Sequence, residues 1–562
     1  MWRRGRRAVA LVYFAVAETA LRLLGRRKPY ALLRLRLQGE IEEQQSETPI
    51  FAAGRGGGHD FVDLLAILRS ARRDPALQGV FVRCSHLRAG WAQIQEMRRC
   101  LVALREAGKK VWVFLPEGGI HEYVLATAAD RIILPPAATL DITGLSSEVT
   151  FWTGALQKLG IEAEVVQLGK FKSAGEVFTR TEMSAPHREM IEALMDDLYA
   201  QVVERVAQGR NLPEDEIRRL VDGGPFLASE AHEHGLVDAL AYEDEAEEEL
   251  RQLCGGLPPI SSGAYAKRRR RTAQREVTRQ GKSSLALVHL TGTIKTGENI
   301  SGPAALANAS GAASLARVMK TVRERDDIAA VVLRVSSPGG SGFASDLMWH
   351  EVARTRSTKP VVVSFGDVAA SGGYYVGVAG RPVLAEEGTI TGSIGVLAGK
   401  AVLRGLYDRL GVRKEVITRG RHAGLYSEYL PLTAEERDRL SVQAQSMYDR
   451  FIDVVAAGRA LARENVTAAA EGRVWSGRQA QRLGLVDRLG GLEDAFDEAK
   501  KLAGIAGYEP VAVERYPQPG HWWTLPWRRG GPQDLLSASN PWFKFVTAEH
   551  LWTVMPFRIR FF

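Results

Sequence analysis

The sequence predicts an α/β protein built from two copies of one structural unit. The dipeptide Gly209-Arg210 recurs as Gly458-Arg459, and the tetrapeptide Gly-Leu-Val-Asp at 235–238 recurs at 484–487, both with an offset of 249 residues. A nearly constant offset over such a distance is typical of a duplicated unit. Within each copy, short apolar runs rich in β-branched residues alternate with longer amphipathic segments. This alternation predicts strands and helices in turn, with mostly parallel sheets.

The strand signals are clearest in the second copy. Residues 285–290, 329–335 and 360–364 are apolar runs bounded by turn residues, and each predicts a buried strand. The counterparts in the first copy are residues 32–37, 80–83 and 111–114. The two copies therefore predict the same order of strands.

A long amphipathic helix closes each copy. In the second copy the segment Thr433-Ala-Glu-Glu436 has the pattern of a capping box at a helix start. Phe451 and Val455 follow at helical spacing, and the first copy has Val202 and Val206 in the same places. We interpret these apolar positions as core residues rather than as a site.

Composition and the repeat divide the 562 residues into five predicted parts. They are a basic and apolar membrane-associating segment (1–29), an N-terminal repeat (30–259), a basic linker (260–283), a C-terminal repeat (284–508) and a Trp-rich extension (509–562). The apolar stretch from Ala8 to Ala17 is shorter than the roughly 20 residues of a spanning helix. It therefore predicts association with a membrane but does not fix its mode, and a signal-peptide core remains an alternative.

Charge is concentrated at a few places in a chain with a formal net charge of +8. The run Lys267 to Arg271 lies between the two copies and predicts a solvated linker, with contact to anionic lipid as the alternative. Nucleic-acid binding is not expected, because no aromatic interleaving or known binding module accompanies the run. The Trp-rich extension suits a membrane interface, or packing against the protein body or a neighbouring subunit.

Three glycine-rich turns of the second copy follow predicted strands, where open α/β sheets bind ligands. They are Ser-Pro-Gly-Gly-Ser-Gly (337–342), Asp-Val-Ala-Ala-Ser-Gly-Gly-Tyr-Tyr (367–375) and Thr-Ile-Thr-Gly-Ser-Ile-Gly (389–395). Backbone N–H groups at Gly339 and Gly340 are candidates for an oxyanion hole, with a plain tight turn as the alternative. Ser371 lies between alanine and glycine at a predicted helix start. We expect its hydroxyl to be exposed there, as a nucleophile or as a simple N-cap.

A nucleophilic serine needs a base, and the histidines His289, His350 and His422 lie in no recognisable motif. A lysine can act as the base if burial lowers its pKa from about 10.4 by about three pH units. Lys172, which follows an apolar run in the first copy, is our candidate, and Lys170 is the local competitor.

The two copies differ at the positions that carry this chemistry. The second copy has Ala423 where the first has Lys172, and the first copy has no serine in residues 116–123, which correspond to the segment around Ser371. Complementary loss after duplication predicts one composite site, with the base from the first copy and the nucleophile from the second.

Four of these segments together resemble the bacterial signal peptide peptidase A (protease IV) family in its long tandem form. They are Lys-Ser-Ala-Gly-Glu (172–176), Ser-Pro-Gly-Gly-Ser (337–341), Ala-Ala-Ser-Gly-Gly-Tyr-Tyr (369–375) and Thr-Gly-Ser-Ile-Gly (391–395). The likeness covers about residues 32–504. It implies two tandem Clp/crotonase-like domains of repeated ββα-type units and a serine peptidase with a Ser/Lys dyad.

The resemblance also implies a role for individual residues. Ser371 matches the nucleophile, Lys172 the general base, and Ser393 the serine that orients the lysine. Gly339 and Gly340 match the oxyanion turn.

We therefore expect a serine endopeptidase that hydrolyses residual signal peptides or unfolded segments near a membrane. The resemblance implies a homo-oligomer attached to a bacterial membrane, with the catalytic body on the periplasmic side. No metal, other cofactor or nucleic acid is expected. The alternatives are a crotonase-like acyl-CoA enzyme, which shares the fold and the glycine turns, and a non-catalytic membrane scaffold.

Overall fold

The computed structural model describes residues 29–44, 59–270, 283–300, 308–507, 511–518 and 551–554. The predicted membrane-associating segment lies outside these residues except for Pro29, and so does most of the Trp-rich extension. Within the described part of the chain, no helix is both long enough and apolar enough to cross a membrane.

The first half contains a parallel sheet flanked by helices. In spatial order its strands are Ala239–Leu240, Arg131–Leu134, Lys110–Phe114, Gly79–Arg88, Leu32–Glu42 and Ile260–Ser261. The remaining described strands of this half are His59–Asp60, Gly118–Gly119, Thr139–Asp141, Glu162–Leu168 and Phe226–Leu227. Its helices are Phe61–Arg73, Trp91–Glu106, Ile120–Ala126, Thr153–Leu159, Glu176–Thr179, Ala185–Arg210, Glu214–Gly223, Ala228–Glu233 and Glu243–Leu253, with a 3-10 turn at Ser173–Gly175.

The second half repeats this arrangement. In spatial order the strands of its main sheet are Val474–Ser476, Ile390–Gly392, Val361–Ala370, Ile328–Ser337, Ser284–Thr291 and Ala512–Tyr516. The other described strands are Thr293–Lys295, Ala309–Gly311, Gly339–Ser341, Val383–Ala385, Val396–Val402, Arg488–Leu489 and Leu551–Val554. The helices are Ala312–Glu324, Gly342–Arg356, Gly372–Gly377, Arg404–Arg409, Ala434–Arg459, Arg463–Ala469, Gly477–Arg482 and Leu492–Leu502.

The predicted α/β class with two repeated units is confirmed, down to individual contacts. The two long closing helices both have 26 residues. At the end of the first, Arg210 forms an ion pair with Asp238 at 2.8 Å, and at the end of the second, Arg459 forms one with Asp487 at 2.6 Å. These are the residues of the recurring sequence segments, so the repeat preserves an ion pair that ties each closing helix to the segment that follows it.

The capping box predicted at the second closing helix is present. Thr433 Oγ1 accepts a hydrogen bond from the N–H of Glu436 at 3.2 Å, and Glu436 Oε2 accepts one from the N–H of Thr433 at 2.9 Å. Two N–H groups of the first helical turn are therefore satisfied locally, which fixes where the helix begins.

A smaller sheet joins the two halves. The strand Glu162–Leu168 of the first copy pairs antiparallel with Val396–Val402 of the second copy, with Leu168 opposite Val396 and Glu162 opposite Val402. The strand that leads to Lys172 therefore lies in a sheet with strands of the second half. The predicted linker at 260–283 lies between the two copies in the sequence, but this smaller sheet contains strands from both sides of it.

Part of the predicted basic linker packs on the first half. Residues Ile260–Ser261 extend the first parallel sheet. Tyr265 is fully buried, and its hydroxyl lies 3.2 Å from a carboxylate oxygen of Asp74. Arg270 forms an ion pair with Asp63. The start of the linker is thus part of the fold, and residues 271–282 lie outside the described chain.

A buried arginine also connects the halves. Arg334, in a central strand of the second sheet, is 0% exposed. Its guanidinium lies 2.9 Å from a carboxylate oxygen of Glu43 and 2.7 Å from one of Glu96, both from the first copy. It also donates to Ser364 Oγ at 2.8 Å and to the carbonyl of Phe365 at 3.1 Å. A guanidinium carries five N–H donors in a rigid planar arrangement, so it suits a buried position with several acceptors.

We predict that Arg334→Ala destabilises the protein by about 3–5 kcal/mol, because it leaves two buried carboxylates without their cation. Urea-induced unfolding measures the loss. Arg317→Ala is the control, since Arg317 pairs with Glu298 at the surface and exposed pairs contribute little. An equal, small loss in both variants would show that the Arg334 cluster does not hold the halves together.

Candidate active site

Lys172 lies where the joining sheet ends. It follows the strand Glu162–Leu168 and begins the turn Ser173–Gly175. Its Nζ lies 2.8 Å from Ser371 Oγ, 3.0 Å from Ser393 Oγ and 3.0 Å from the carbonyl oxygen of Ser393. The structure thus brings the base candidate of the first copy to two serines of the second copy, within one chain.

These three side chains are removed from water. Lys172, Ser371 and Ser393 are each 0% exposed. Burial lowers the pKa of Lys172 well below its ordinary value, because a charged ammonium loses its hydration in this position. Within the described residues Lys172 forms no ion pair that would offset this effect. A neutral amine within hydrogen-bond distance of a hydroxyl can accept its proton.

Ser371 occupies a sharp turn between a strand and a helix. It follows the strand Val361–Ala370 and is the N-cap of the helix Gly372–Gly377. Its backbone has φ 54° and ψ −117°, a conformation that side-chain-bearing residues rarely adopt. The turn is held by its N–H, which donates to the carbonyl of Gly392 at 2.7 Å. The expectation of an exposed hydroxyl is wrong, because Ser371 is 0% exposed, with Lys172 of the first half against its hydroxyl and Gly392 of the second half against its N–H.

Ser393 has a similarly constrained backbone. Its φ is 53°, and its N–H donates to the carbonyl of Arg473 at 2.7 Å. The residue offers both its hydroxyl and its carbonyl oxygen to the amine of Lys172. Two acceptors from one fixed residue restrict where the long lysine side chain can place its nitrogen.

The predicted oxyanion turn lies beside the turn of Ser371. Ser337, two residues before Gly339, pairs with Ala369 in the neighbouring strand. A Cβ atom on Gly373 would lie 2.7 Å from the carbonyl oxygen of Ser337, so glycine is required for this approach. The N–H of Gly339 donates to Ser337 Oγ at 3.1 Å. An oxyanion bound at this turn would compete with the Ser337 hydroxyl for the N–H of Gly339.

The model of peptidase family S49 matches residues 103–255 and 353–506. The chain belongs to peptidase family S49. It is therefore a serine peptidase, and this assignment removes the acyl-CoA enzyme and the non-catalytic scaffold as alternatives.

Curated relatives match most of this peptidase. The chloroplastic serine protease SPPA of Arabidopsis thaliana is 32% identical over 496 residues, which cover 87% of this chain and 72% of the relative. Protease 4 of Haemophilus influenzae is 28% identical over 460 residues, which cover 78% of this chain and 72% of the relative. Among solved structures, a ClpP1 mutant from Listeria monocytogenes aligns with a TM-score of 0.25 and 13% identity, over 37% of this chain and 93% of that one.

The competing residues of the S49 peptidase lie elsewhere. The side chain of Lys170 is 60% exposed, and its Nζ lies 3.3 Å from a carboxylate oxygen of Glu471. Within the described chain, Ser371 Oγ has Lys172 as its hydrogen-bond partner and contacts no histidine. His422 lies 3.5 Å from Glu435, and burial lowers the pKa of His289 to about 4.

Gly472 is part of the site, although no sequence motif marks it. Its φ is +78°, and a Cβ atom built on it would lie 2.5 Å from Lys172 Cβ and 2.6 Å from Lys172 N. Its N–H donates to the carbonyl of Ile394, next to Ser393, at 2.7 Å. The sequence around Gly472 does not show why glycine is needed there. The reason is its close approach to Lys172, a residue 300 positions earlier in the chain.

We predict that Gly472→Ala lowers kcat by on the order of 100-fold, because the methyl group displaces the backbone of Lys172 and with it the amine. Gly411→Ala is the matched control. Gly411 has nearly the same φ of +72°, but a Cβ atom there meets nothing within 4 Å. A similar loss in both variants would indicate general backbone strain instead of displacement of Lys172.

Proposed function

We propose that this serine peptidase cleaves peptides with Ser371 as the nucleophile and Lys172 as the general base. The observation that supports this most strongly is the 2.8 Å separation of Lys172 Nζ and Ser371 Oγ. The amine is fully buried and burial lowers its pKa, so it can take up a proton near neutral pH.

The reaction proceeds through an acyl-enzyme. Neutral Lys172 removes the proton of the Ser371 hydroxyl as the oxygen attacks the scissile carbonyl. The resulting ammonium protonates the leaving amine, and the C–N bond breaks. A water molecule then enters, gives a proton to the same lysine and attacks the ester. The ester C–O bond breaks, the acid is released, and the lysine ammonium returns the proton to the Ser371 oxygen, which restores the hydroxyl and the neutral amine. Ser393 keeps the amine in place during both steps, and Gly339 and Gly340 supply N–H groups to the oxyanion.

An extended segment of the chain itself pairs with two strands beside this site. The chain's own strand Leu551–Val554, which we call the tail strand, lies between Gly339–Ser341 and Val396–Val402 and is antiparallel to both. Thr553 is opposite Gly340, and Trp552 is opposite Leu397. We infer that a substrate binds by strand addition in this position and replaces the tail strand.

We further propose that substrates are residual signal peptides or unfolded segments, which can adopt the extended conformation this position requires. In this proposal residues 1–29 associate with a bacterial membrane and hold the catalytic body on its periplasmic side. The repeats at 30–259 and 284–508 supply the base and the nucleophile respectively.

The dyad predicts a specific pattern of inactive variants. Ser371→Ala and Lys172→Ala should each lower kcat for an unfolded or signal-peptide substrate by roughly 10⁴-fold or more. Lys170→Ala is the matched control and should retain activity. A fluorophosphonate should label the wild-type protein but not Ser371→Ala. Retained activity in Lys172→Ala with loss in Lys170→Ala would reassign the base, and activity in all three variants would rule out the dyad.

If the tail strand occupies the substrate position, weakening its pairing should favour substrate. Thr553→Pro removes a backbone donor from the paired segment, so we predict a KM about tenfold lower with kcat unchanged. Ala538→Pro, which is not part of the tail strand, should leave KM unchanged. An unchanged KM in Thr553→Pro, in an enzyme whose activity still depends on Ser371, would show that substrate binds elsewhere.

A further inference from the structure

A short loop of the second half, residues 470–473, lies between Lys172 and Ser393, and we call it the bridge loop. The N–H of the residue before Lys172 donates a hydrogen bond to the carbonyl of Glu471 at 2.8 Å. The N–H of Ser393 donates one to the carbonyl of Arg473 at 2.7 Å. The bridge loop therefore holds the backbone on both sides of the contact between the lysine and the serine.

The side chain of Arg473 extends from the bridge loop onto the first half. Its guanidinium carbon lies 4.7 Å from the ring centre of Phe171 and 4.7 Å from the ring centre of Trp475. One of its guanidinium nitrogens lies 2.7 Å from a carboxylate oxygen of Glu189, in the long closing helix of the first copy. The guanidinium therefore contacts two aromatic rings and one carboxylate, and two of these three partners belong to the first half.

Phe171 connects this cation to the active site, because it directly precedes Lys172 and its ring is buried. A second cation, Lys170, also lies near the ring, with its Nζ 4.9 Å from the ring centre. The side chain of Lys170 is 60% exposed, however, against 18% for Arg473. A cation attracts an aromatic ring more strongly where water is excluded, and a planar guanidinium also stacks on the ring. Arg473 is therefore the cation that fixes the ring of Phe171.

The backbone and the side chain of Arg473 act on the same contact from two sides. Its carbonyl holds Ser393, whose hydroxyl and carbonyl oxygens each lie 3.0 Å from Lys172 Nζ. Its guanidinium holds Phe171, the residue next to the Cα atom of Lys172. Lysine carries its amine on a flexible four-carbon stem, so the position of the amine depends on both ends being fixed.

We propose that Arg473 is a positioning residue of this peptidase, which fixes Lys172 against Ser393 and closes the side of Lys172 on which Phe171 lies. This inference rests on the proposed function, in which Lys172 is the general base and Ser371 the nucleophile. Within the described chain, no hydrogen bond joins the guanidinium to either of these two residues. Arg473 therefore acts through its neighbours and is not itself a catalytic residue.

Loss of the Arg473 side chain should change the proton affinity of Lys172 as well as its position. The charged side chains that flank this turn form ion pairs with one another, Lys170 with Glu471 and Arg473 with Glu189. Burial lowers the pKa of Lys172, so water that enters past an uncovered ring should raise this pKa back toward its ordinary value. Because the neutral amine is the active form, activity should then begin at a higher pH.

The first test compares two arginines with matched contacts. In Arg473→Ala we expect kcat for an unfolded or signal-peptide substrate to fall about 100-fold with KM nearly unchanged, and the midpoint of the pH profile of kcat to move to higher pH. Arg131→Ala is the control, because Arg131 lies 4.7 Å from the ring centre of Trp112 and 2.7 Å from Glu249, in the first sheet. It should retain the kcat and the pH midpoint of the wild type.

The second test separates the stacking of Arg473 from its ion pair. Arg473→Lys keeps a positive charge for Glu189 but loses the planar group that stacks on the rings, so kcat should stay about tenfold or more below that of the wild type. Glu189→Gln removes the ion pair and keeps the stacking. The side chain of Glu189 is 60% exposed, and exposed pairs contribute little, so kcat should stay within about twofold of the wild type.

An unchanged kcat or an unchanged pH midpoint in Arg473→Ala would overturn the proposal, and so would an equal loss in Arg131→Ala or full activity in Arg473→Lys. These results differ from a failure of the proposed function. Activity retained in Lys172→Ala would show that another group is the base, whatever the Arg473 variants do. A fully active Arg473→Ala beside an inactive Lys172→Ala would overturn the positioning role alone.

Discussion

Lys172 brings an amine into a space from which water is excluded and holds it against the hydroxyl of Ser371. The amine must be both buried and close to the hydroxyl to accept its proton. An exposed lysine at the same distance would stay charged near neutral pH and could not accept a proton. A buried lysine at a larger distance would be neutral without effect on Ser371. The observed fold meets both conditions, because Lys172 is fully buried with its Nζ 2.8 Å from Ser371 Oγ.

Much of the architecture serves to keep these two residues together although they come from different copies. The strand before Lys172 pairs with a strand of the second half, and Gly472 allows the two backbones to approach. Arg334 binds two glutamates of the other half. In an ordinary two-domain protein the domains could move relative to each other. In the proposed mechanism a shift of about an ångström would separate the amine of Lys172 from the hydroxyl of Ser371, so the mechanism requires a rigid interface between the halves.

The sequence was sufficient to predict the α/β class, the duplication and the three central strands of each main sheet, because each depends on local patterns of apolar residues. It also pointed to Lys172, Ser371 and Ser393, through short motifs and complementary losses. It did not predict that the strand Glu162–Leu168 crosses into a sheet of the second half, since periodicity predicts a strand but not its partner. The sequence also did not predict the roles of Gly472 and Arg334, because these roles depend on contacts between segments that are far apart in the chain. The expected exposure of Ser371 was wrong because local sequence does not show what covers a turn.

If Lys172 is the general base, its amine is neutral while Ser371 is in its resting state. The most direct measurement is the NMR titration of lysine Cε carbons labelled with ¹³C, with the Lys172 signal assigned by its absence in Lys172→Arg. Because burial disfavours the charged form, the amine should lose its proton as pH rises through a midpoint well below the ordinary value of about 10.4. Activity should rise with pH through the same midpoint. A Lys172 midpoint near 10.4 in an enzyme already fully active at neutral pH would show that Lys172 is not the base.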